Sequence, residues 1–515
     1  MDTVLAALPL IIILTLMAGF RWSGTKAGAV GWLSALLIAG LRFGASTQVL
    51  LWSQIEGAFR AGYVLYIIWG ALFLFRVTEA DGTLSAMSDI LRRVAPGRTL
   101  QLMLLAWGFG SFLQGVGGYG VPVAVVAPML VGLGFSALDA VVISSLGISW
   151  SISFGSLGAS YEALISTIDI NGPILAPWMA ALLAVVCFQC GFVVLWMGRD
   201  KAHPWREVVP ALSMAVGMSL TQYLATRIGL PNLATILGAL AGLGIGALWA
   251  GLRRRASTEA VQPLVPLRQT LRHLLPYLML ITIIMLISFV PFLNSALNRW
   301  VLRVDTPQML LRDGSILPAG QTRAISVLGS PGAQLIYTGA ITFWLANRQG
   351  RLSAGSRKKI RSGVLRSGLQ STFGILALMT MATTMQMSNM VSQLATAMAS
   401  FAGQFFPLVA PFIGALGAFM TGSNTNSNVL FGAFQLEVAQ TLGLYAPFVL
   451  AIHNAGAAVG SVFSPAKIMV GCSTVGLSGR ESDAMRRTIQ TGVVMVAIIA
   501  VVGWIMAQIL PFSNI

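Results

Sequence analysis

Long apolar runs separated by short polar connections dominate this sequence of 515 residues. Runs of roughly 20 apolar residues are long enough to cross the hydrocarbon layer of a membrane as α-helices. The pattern predicts an all-α membrane protein of about 14 to 16 transmembrane segments. The segments near 121 and 429 are short, so they fit either full spans or re-entrant hairpins. The clearest apolar runs are 4–20, 27–43, 61–75, 99–113, 173–197, 231–252, 274–293 and 488–511.

Composition and charge exclude a soluble enzyme held by a single membrane anchor. Hydrophobic residues make up 56% of the chain and charged residues only 9%. In the predicted topology, 24 of the 32 Lys and Arg residues fall in six loops on one side, as cytoplasmic loops do. The net charge of +16 therefore indicates orientation in the membrane, and no nucleic acid is expected as a partner. The six loops are 21–26, 76–98, 198–207, 253–272, 348–366 and 478–487.

The sequence carries none of the usual enzyme or metal-site motifs. It contains no HExxH, GxSxG or P-loop pattern. Cys187, Cys190 and Cys472 lie in apolar or small-residue segments without companions that would ligate a metal. No catalytic residue, metal site or cofactor is therefore predicted. A channel and an intramembrane enzyme are the less favoured alternatives to a carrier, because spaced rings of charge and clustered catalytic residues are also missing from the sequence.

The stretch 110–135 places glycines and a Val-Pro step within an apolar run, and it reads GSFLQGVGGYGVPVAVVAPMLVGLGF. Gly117, Gly118 and Gly120 permit unwound backbone, and Pro122 has no amide donor. Non-helical backbone at membrane depth persists only where protein buries it or where it lines a polar cavity. The stretch therefore predicts a broken helix near 115–122.

A second broken helix is predicted near 422–429, in the segment TGSNTNSNVLFGAF (421–434). The polar run 423–428 follows a glycine there, and polar groups inside a bilayer are costly unless they find partners. In both places an unwound turn precedes a new helix, whose N-terminal amides attract anions. Two such turns facing each other predict a pocket for a small carboxylate.

The second half of the chain resembles the first. SFLQG (111–115) matches AFMTG (418–422) at an offset of 307 residues, and 133–154 matches 442–463 at an offset of 309. In the predicted topology, the span near 99 starts in the cytoplasm and its counterpart near 402 starts outside. The two halves are therefore expected to be inverted repeats, as in secondary transporters. The expected domains are an N-terminal repeat (1–207), a two-span linker (208–255) and a C-terminal repeat (256–515).

Three ionisable residues are candidates for carrying a coupled proton. His453 lies within a predicted span, where a titratable group is a functional hypothesis by default. Glu162 and Glu437 are the best placed acids. Each of the three residues also fits a purely structural role: His453 as a histidine hydrogen-bonded to a carbonyl, and the two acids as helix caps or as side chains that face water. Lys467 fits either neutralisation of a substrate carboxylate or a side chain that snorkels to the surface.

The sequence resembles the lactate permease family of bacterial monocarboxylate transporters over nearly its whole length. The resemblance is densest in 110–135, in TGSNTNSNVLFGAFQ (421–435) and in SVFSPAKIMVGCSTVGLSGRESD (461–483). It implies a multi-pass protein of the bacterial inner membrane that imports L-lactate, D-lactate or glycolate by proton symport. The family is grouped with dicarboxylate carriers, which bind carboxylate at Ser-Asn-Thr turns and move by an elevator-like mechanism. Ser423-Asn424-Thr425 stands in the corresponding turn.

This sequence departs from the family pattern at three positions. Gln114 stands where an acidic residue is usual, Asn424 where an Asp is usual, and Ser461 where a Lys is usual. Amides do not take up protons as carboxylates do, so Na⁺ coupling or a diverged organic anion is the alternative to proton-coupled lactate transport. The expected partners are a small organic anion, H⁺ or Na⁺ and the lipid bilayer, with a homodimer left open. The expected substrate-binding residues are Gln114, Gly117, Gly118, Tyr119, Gly120, Ser423, Asn424, Thr425, Asn426, Ser427, Asn428 and Lys467.

Overall fold

The structure is a computed structural model that describes residues 2–20, 22–94, 97–118, 120–168, 170–198, 205–256, 267–311, 314, 316–477 and 480–509. Within these ranges the chain folds almost entirely into α-helices. Helices satisfy their own backbone hydrogen bonds, which the interior of a membrane requires. The helical class predicted from the apolar pattern is confirmed.

The described part of the first half contains one π-helical stretch, Met103–Phe109, short 3₁₀ turns at Ser149–Ser151 and Pro231–Leu233, and twelve α-helices. They are α1 (Asp2–Ala18), α2 (Gly24–Leu41), α3 (Thr47–Ala80), α4 (Thr83–Val94), α5 (Arg98–Leu102), α6 (Gly110–Val116), α7 (Val121–Gly132), α8 (Ala137–Leu146), α9 (Gly155–Thr167), α10 (Gly172–Gly198), α11 (Val208–Arg227) and α12 (Ala234–Ala256).

The second half adds further helices and a small β-hairpin. Its helices are α13 (Leu267–Phe289), α14 (Pro291–Leu297), α15 (Pro331–Arg348), α16 (Ala354–Met387), α17 (Met390–Ala402), α18 (Phe406–Thr421), α19 (Asn424–Thr441), α20 (Ala446–Val462), α21 (Pro465–Thr474) and α22 (Glu481–Ile509). The strands are β1 (Val301–Leu302), β2 (Asp305–Thr306), β3 (Met309–Leu310), β4 (Ile316–Leu317), β5 (Gly320–Gln321) and β6 (Ile325–Ser326).

Within the described ranges, nine helices are long and apolar enough to cross a membrane, or eleven if each of two bent pairs is one span. The bent pairs are Ala137–Ser151 with Gly155–Thr167, at 55°, and His273–Phe289 with Pro291–Leu297, at 92°. Two shorter apolar helices, Asp2–Met17 and Val121–Gly132, accompany them. The chain is therefore a multi-pass membrane protein with broken helices, while the higher total of about 14 to 16 segments stays a prediction.

Helices of equal length recur 307 residues apart. The helices α2 and α15 each have 18 residues and begin at Gly24 and Pro331. The helices α3 and α16 each have 34 residues and begin at Thr47 and Ala354. All four start after a serine whose hydroxyl accepts a backbone N–H, which is a common N-terminal cap. The offset is the one found between SFLQG and AFMTG in the sequence.

The paired helices α3 and α16 pack along each other in opposite directions. Ser53 Oγ and Thr384 Oγ1 lie 3.0 Å apart, and Arg351 Nη1 lies 2.7 Å from Asp81 Oδ2. The end of α3 and the beginning of α16 therefore lie on the same side of the protein. The predicted topology requires this arrangement, because it places the loops 76–98 and 348–366 together in the cytoplasm.

Glycines allow α18 and α20 to approach closely. A Cβ added at Gly456 would collide with the backbone of Pro411, and one at Gly460 with the backbone of Ala415. Small residues at such contacts let helices pack tightly within a membrane. The pairing fixes the end of α18, where the second predicted break begins.

The apolar pattern gave no signal for the β-hairpin that lies in the connection 294–326. Its strands pair antiparallel, β1 with β6, β2 with β5 and β3 with β4, so that Val301 faces Ser326 and Met309 faces Leu317. Strands of two residues are too short for the alternation of apolar and polar positions that identifies a strand in a sequence. The hairpin is a small addition to an otherwise helical fold.

Candidate functional site

The first break separates α6 from α7. Gly118 has φ +58° and Gly120 has φ +82°, values that L side chains rarely adopt. A Cβ added at Gly118 would collide with Ser156 Oγ, so this turn passes directly against α9. Pro122 lies in the first turn of α7, where a backbone N–H would have no acceptor within the helix, so the lack of this group in proline costs no hydrogen bond. The glycines thus provide left-handed backbone at Gly118 and Gly120, and the proline begins the helix that follows.

The second break separates α18 from α19. Gly422 ends α18 with φ +73°, and Ser423 Oγ accepts a hydrogen bond of 3.3 Å from the backbone N–H of Asn426. Thr421 Oγ1 donates a hydrogen bond of 3.1 Å to the carbonyl of Ser423. The polar residues at this position therefore form a turn and an N-terminal cap, and the first amides of α19 follow directly.

A third interruption lies at the beginning of α9. Ser156 and Leu157 have φ of +48° and +54°, and Gly158 has φ +77°. Left-handed backbone in non-glycine residues is costly and is found where surrounding structure holds it, often at functional sites. Sequence reasoning missed this interruption, although the run of small and hydroxyl residues GSLGAS (155–160) within an apolar region was a usable signal.

Hydrogen bonds donated by two asparagine side chains join the second and third breaks. Asn424 Nδ2 donates to Ser153 Oγ at 3.2 Å. Asn428 Nδ2, one turn later on α19, donates to the carbonyl of Ser160 at 2.9 Å. Because Gly118 also contacts Ser156, all three interruptions meet at one place in the fold.

A small cavity of about 60 Å³ lies where the interruptions meet. Lys467, on α21, is the one lining residue with a formal charge among those that the structure describes. It is 8% exposed, its Nζ donates to Ser461 Oγ at 3.0 Å, and no ion pair within the described ranges includes it. An ammonium surrounded by amide and hydroxyl groups suits a small carboxylate. The lining residues are Gln114, Ile152, Gly155, Ser156, Ala159, Ser160, Gly422, Ser423, Asn424, Thr425 and Lys467.

Two amide oxygens at the cavity have no hydrogen-bond partner within the described part of the chain. They are Gln114 Oε1 and Asn424 Oδ1, and both residues are at most 4% exposed. Buried polar atoms in folded proteins are nearly always hydrogen-bonded to protein or water. The cavity therefore offers unsatisfied polar groups that a ligand, an ion or water would satisfy.

The structure brings together only part of the predicted substrate site. Gln114, Ser423, Asn424, Thr425 and Lys467 line the cavity. Gly118 reaches it through Ser156, whereas Gly117 lies against the ring of Phe75 and Gly120 near Val470. Tyr119 lies outside the described residues.

The later residues of the polar run 423–428 do not line the cavity. Ser427 Oγ donates to the carbonyl of Gly414 at 2.8 Å, Asn428 bonds to Ser160, and the half-buried Asn426 is not among the lining residues. The reason is helical geometry: each residue after Asn424 rotates by about 100° around the axis of α19, so Asn426 and Ser427 point to other sides. Asn428 returns to the face of Asn424, but about 6 Å further along the helix. A run of consecutive residues on a helix cannot face one cavity.

The three candidates for proton coupling lie in three separate places outside the cavity lining. Glu162 accepts a hydrogen bond of 2.9 Å from Tyr63 OH, and Arg323 Nη2 lies 3.9 Å from the same carboxylate. His453 is fully buried in α20, facing the backbone of α18 and α19, and its ring nitrogens make no hydrogen bond of regular geometry within the described ranges. Glu437 is half-buried on α19, about 20 Å from the start of that helix by its rise per residue.

Broken helices that enclose a small polar cavity within a multi-pass helical bundle define a membrane transporter. A family model described as L-lactate permease matches residues 2–510. The chain therefore belongs to the L-lactate permease family, whose members are transporters of the inner membrane and not enzymes. The resemblance identified in the sequence is confirmed.

Alignments with similar proteins cover most of each chain. The chain is 27% identical to an L-lactate permease of Streptococcus iniae over 88% of its length and 94% of that protein. It is 26% identical to the L-lactate permease of Escherichia coli K12, covering 99% of this chain and 97% of that one. It is 27% identical to the glycolate permease GlcA of the same organism, covering 99% and 96%. A solved structure, the YdaH transporter of Alcanivorax borkumensis, aligns with a TM-score of 0.47 at 14% identity over 90% of this chain and 89% of that one.

Proposed function

We propose that this transporter imports a small monocarboxylate, such as lactate or glycolate, and binds it in the cavity beside Lys467. Similar proteins are named as permeases for L-lactate and for glycolate. The observation that carries the proposal is the buried amine of Lys467 at a junction of broken helices, with no carboxylate paired to it among the described residues. A buried charge without a counter-ion is costly, and the carboxylate of the substrate supplies that counter-ion.

The remaining lining groups have complementary roles in this proposal. The N-terminal amides of α19, with the side chains of Ser423 and Thr425, bind the second carboxylate oxygen, because helix N-termini favour anions. Asn424 and Gln114 present amides to the hydroxyl of a hydroxy acid, which both donates and accepts hydrogen bonds. The small cavity volume favours a substrate of a few heavy atoms over a long-chain acid.

Proton symport follows when Lys467 takes up its proton together with the anion. An unpaired ammonium is costly in a buried site within a membrane. Loading a carboxylate and a proton together leaves the occupied site without net charge. Lys467 thus performs the coupling that the amides of Gln114 and Asn424 cannot perform.

Na⁺ coupling is the second candidate, and the unpartnered oxygens Gln114 Oε1 and Asn424 Oδ1 favour it. Amide oxygens are suitable ligands for hard cations, which bind oxygen donors. In this alternative the sodium ion sits beside the carboxylate and replaces the proton as the coupled charge. The two candidates share the substrate site and differ in the gradient that drives uptake.

We propose an elevator-like movement between inverted repeats as the transport mechanism. The equal lengths of α3 and α16 and their antiparallel packing support two repeats of opposite orientation, 1–207 and 256–515, with α11 and α12 in the linker 208–255. The pair α3 and α16 would form part of a fixed scaffold. The broken helices around the cavity, with α18 and α20, would move as one body past it.

Counterflow in proteoliposomes tests the proposed function. Vesicles loaded with unlabelled lactate or glycolate should accumulate the labelled acid transiently, because a carrier exchanges substrate and a channel does not. An imposed pH gradient should then drive net uptake without Na⁺. Uptake that follows a Na⁺ gradient alone would select the second candidate, and the absence of counterflow would contradict carriage of either acid.

A further inference from the structure

A second polar cavity, of about 620 Å³, lies between the end of α3 and the beginning of α16, and it shares no lining residue with the substrate site. Its lining includes Arg76, Glu79, Lys359 and Arg366, together with three serine side chains. Three cations against one carboxylate give the lining a net positive charge. The transport reaction proposed above uses none of these residues.

The acid in this cavity neutralises only one of the cations. Glu79 Oε2 lies 2.9 Å from Arg76 Nη1. No ion pair within the described ranges includes Lys359 or Arg366. Two cations with serine hydroxyls around them form a recognition surface for an oxygen-rich anion such as a phosphate group.

The cavity is built by close packing and not by chance proximity of flexible side chains. A Cβ added at Gly363 would lie 2.8 Å from Arg76 Nε, so this glycine makes room for the guanidinium against α16. Arg76 Nε is buried and has no hydrogen-bond partner within the described residues. Beyond it, Arg351 and Asp81 join the two helices with a contact of 2.7 Å.

The position along the two helices is that of lipid headgroups. Arg76 begins the predicted cytoplasmic loop 76–98, and Arg366 ends the predicted cytoplasmic loop 348–366. The two arginines therefore lie where α3 and α16 leave their predicted apolar spans. The headgroup layer occupies roughly 5 to 8 Å on each side of the hydrocarbon core. The cavity therefore lies at that layer and at its aqueous edge, on the predicted cytoplasmic side.

We propose that this cavity binds the phosphodiester headgroup of an anionic phospholipid from the cytoplasmic leaflet. Basic pockets between transmembrane helices on the cytoplasmic side are suited to such headgroups. A soluble phosphate or nucleotide has the same chemistry, but the location at the predicted cytoplasmic end of two transmembrane helices favours a lipid. Because the lipid would bridge α3 and α16, it would stabilise the pair of helices assigned above to the scaffold.

Thermal unfolding of the purified full-length protein in detergent tests the proposal. Short-chain phosphatidylglycerol should raise the midpoint of unfolding, since a ligand of the folded state stabilises it. Phosphatidylcholine of the same chain length should have no comparable effect. The double variant Lys359→Gln with Arg366→Gln should need about tenfold more phosphatidylglycerol, or more, for the same shift.

The matched control is Lys358→Gln with Arg361→Gln, which removes the same charge from the same helix outside the cavity. The control should respond to phosphatidylglycerol as the unmodified protein does. If both double variants lose the thermal shift with phosphatidylglycerol equally, the lipid is attracted by the charge of the helix in general, and the proposal of a specific site is overturned. A shift with inorganic phosphate or ATP that matches the shift with phosphatidylglycerol would overturn the lipid assignment. The absence of any shift would overturn both.

Discussion

The side-chain amide of Asn424 donates a hydrogen bond of 3.2 Å to Ser153 Oγ, across 271 residues of sequence. Asn424 begins α19, and Ser153 lies just before the left-handed turn that opens α9. This contact connects the interruption of one half of the chain to an interruption of the other. The cavity with Lys467 lies beside it, so the function of the site should depend on this junction.

Replacing Asn424 by Ala should weaken uptake of lactate or glycolate by about fivefold or more, since the substrate hydroxyl loses a buried hydrogen-bond partner, which costs roughly 1 to 3 kcal/mol. Asn426→Ala is the matched control, because Asn426 has the same side chain on the same helix but does not line the cavity. Initial uptake rates over a range of substrate concentrations, in proteoliposomes with equal protein content, measure the effect. Equal rates in both variants would contradict the placement of the substrate at the start of α19.

Replacing Lys467 by Gln should lower uptake by about a hundredfold or more, because the variant loses the cation of a buried ion pair with the substrate. Any residual counterflow should no longer depend on pH. Lys358→Gln, at an exposed position of α16, should transport normally and controls for the loss of a lysine. If Lys467→Gln transports at the normal rate and with the normal pH dependence, the substrate carboxylate is bound without the side chain of Lys467, and the proposed role of this lysine is wrong.

Replacing Gly118 by Leu should abolish uptake and lower the thermal midpoint. The residue has φ +58°, where a side chain costs roughly 1 to 2 kcal/mol, and a Cβ there would collide with Ser156. Gly244→Ala is the contrasting variant, since a Cβ there meets no atom within 4 Å on a helix. It should be neutral or stabilise the protein by about 0.5 to 1 kcal/mol. Membrane insertion of both variants needs to be verified, and uptake at normal rate by Gly118→Leu would argue against the tight turn.

Replacing Glu162 by Gln should leave counterflow and pH-driven accumulation intact, because the coupled proton is assigned to Lys467. Glu162 lies outside the cavity lining and is engaged with Tyr63 and Arg323. The measurement compares accumulation driven by a pH gradient with counterflow at equal pH. If the variant loses accumulation driven by the pH gradient but keeps counterflow, the coupled proton must be assigned to Glu162 and not to Lys467. His453→Gln and Glu437→Gln, tested in the same way, cover the other candidates.

Much of the fold could be predicted from the sequence because a membrane imposes simple rules on a chain. Apolar runs must be helical there, so the helical class and the many spans followed from hydropathy alone. The turn at Gly118 and the turn at Gly422 were visible because glycine, proline and a polar run are conspicuous in apolar sequence. The β-hairpin of 301–326 and the left-handed turn at Ser156 were not predicted, since neither has a strong local signal.

What the sequence determined by itself is therefore local: where helices form, where they break, which loops carry the positive charge, and to which family the chain belongs. Only the tertiary structure decided which groups share the cavity. It placed Ser156 and Ser160 of α9 beside Asn424, and it turned Ser427 towards α18 and away from the site. The physical reason is that hydropathy and turn chemistry act on neighbouring residues, whereas a binding site depends on the rotation of each helix and on packing between segments hundreds of residues apart.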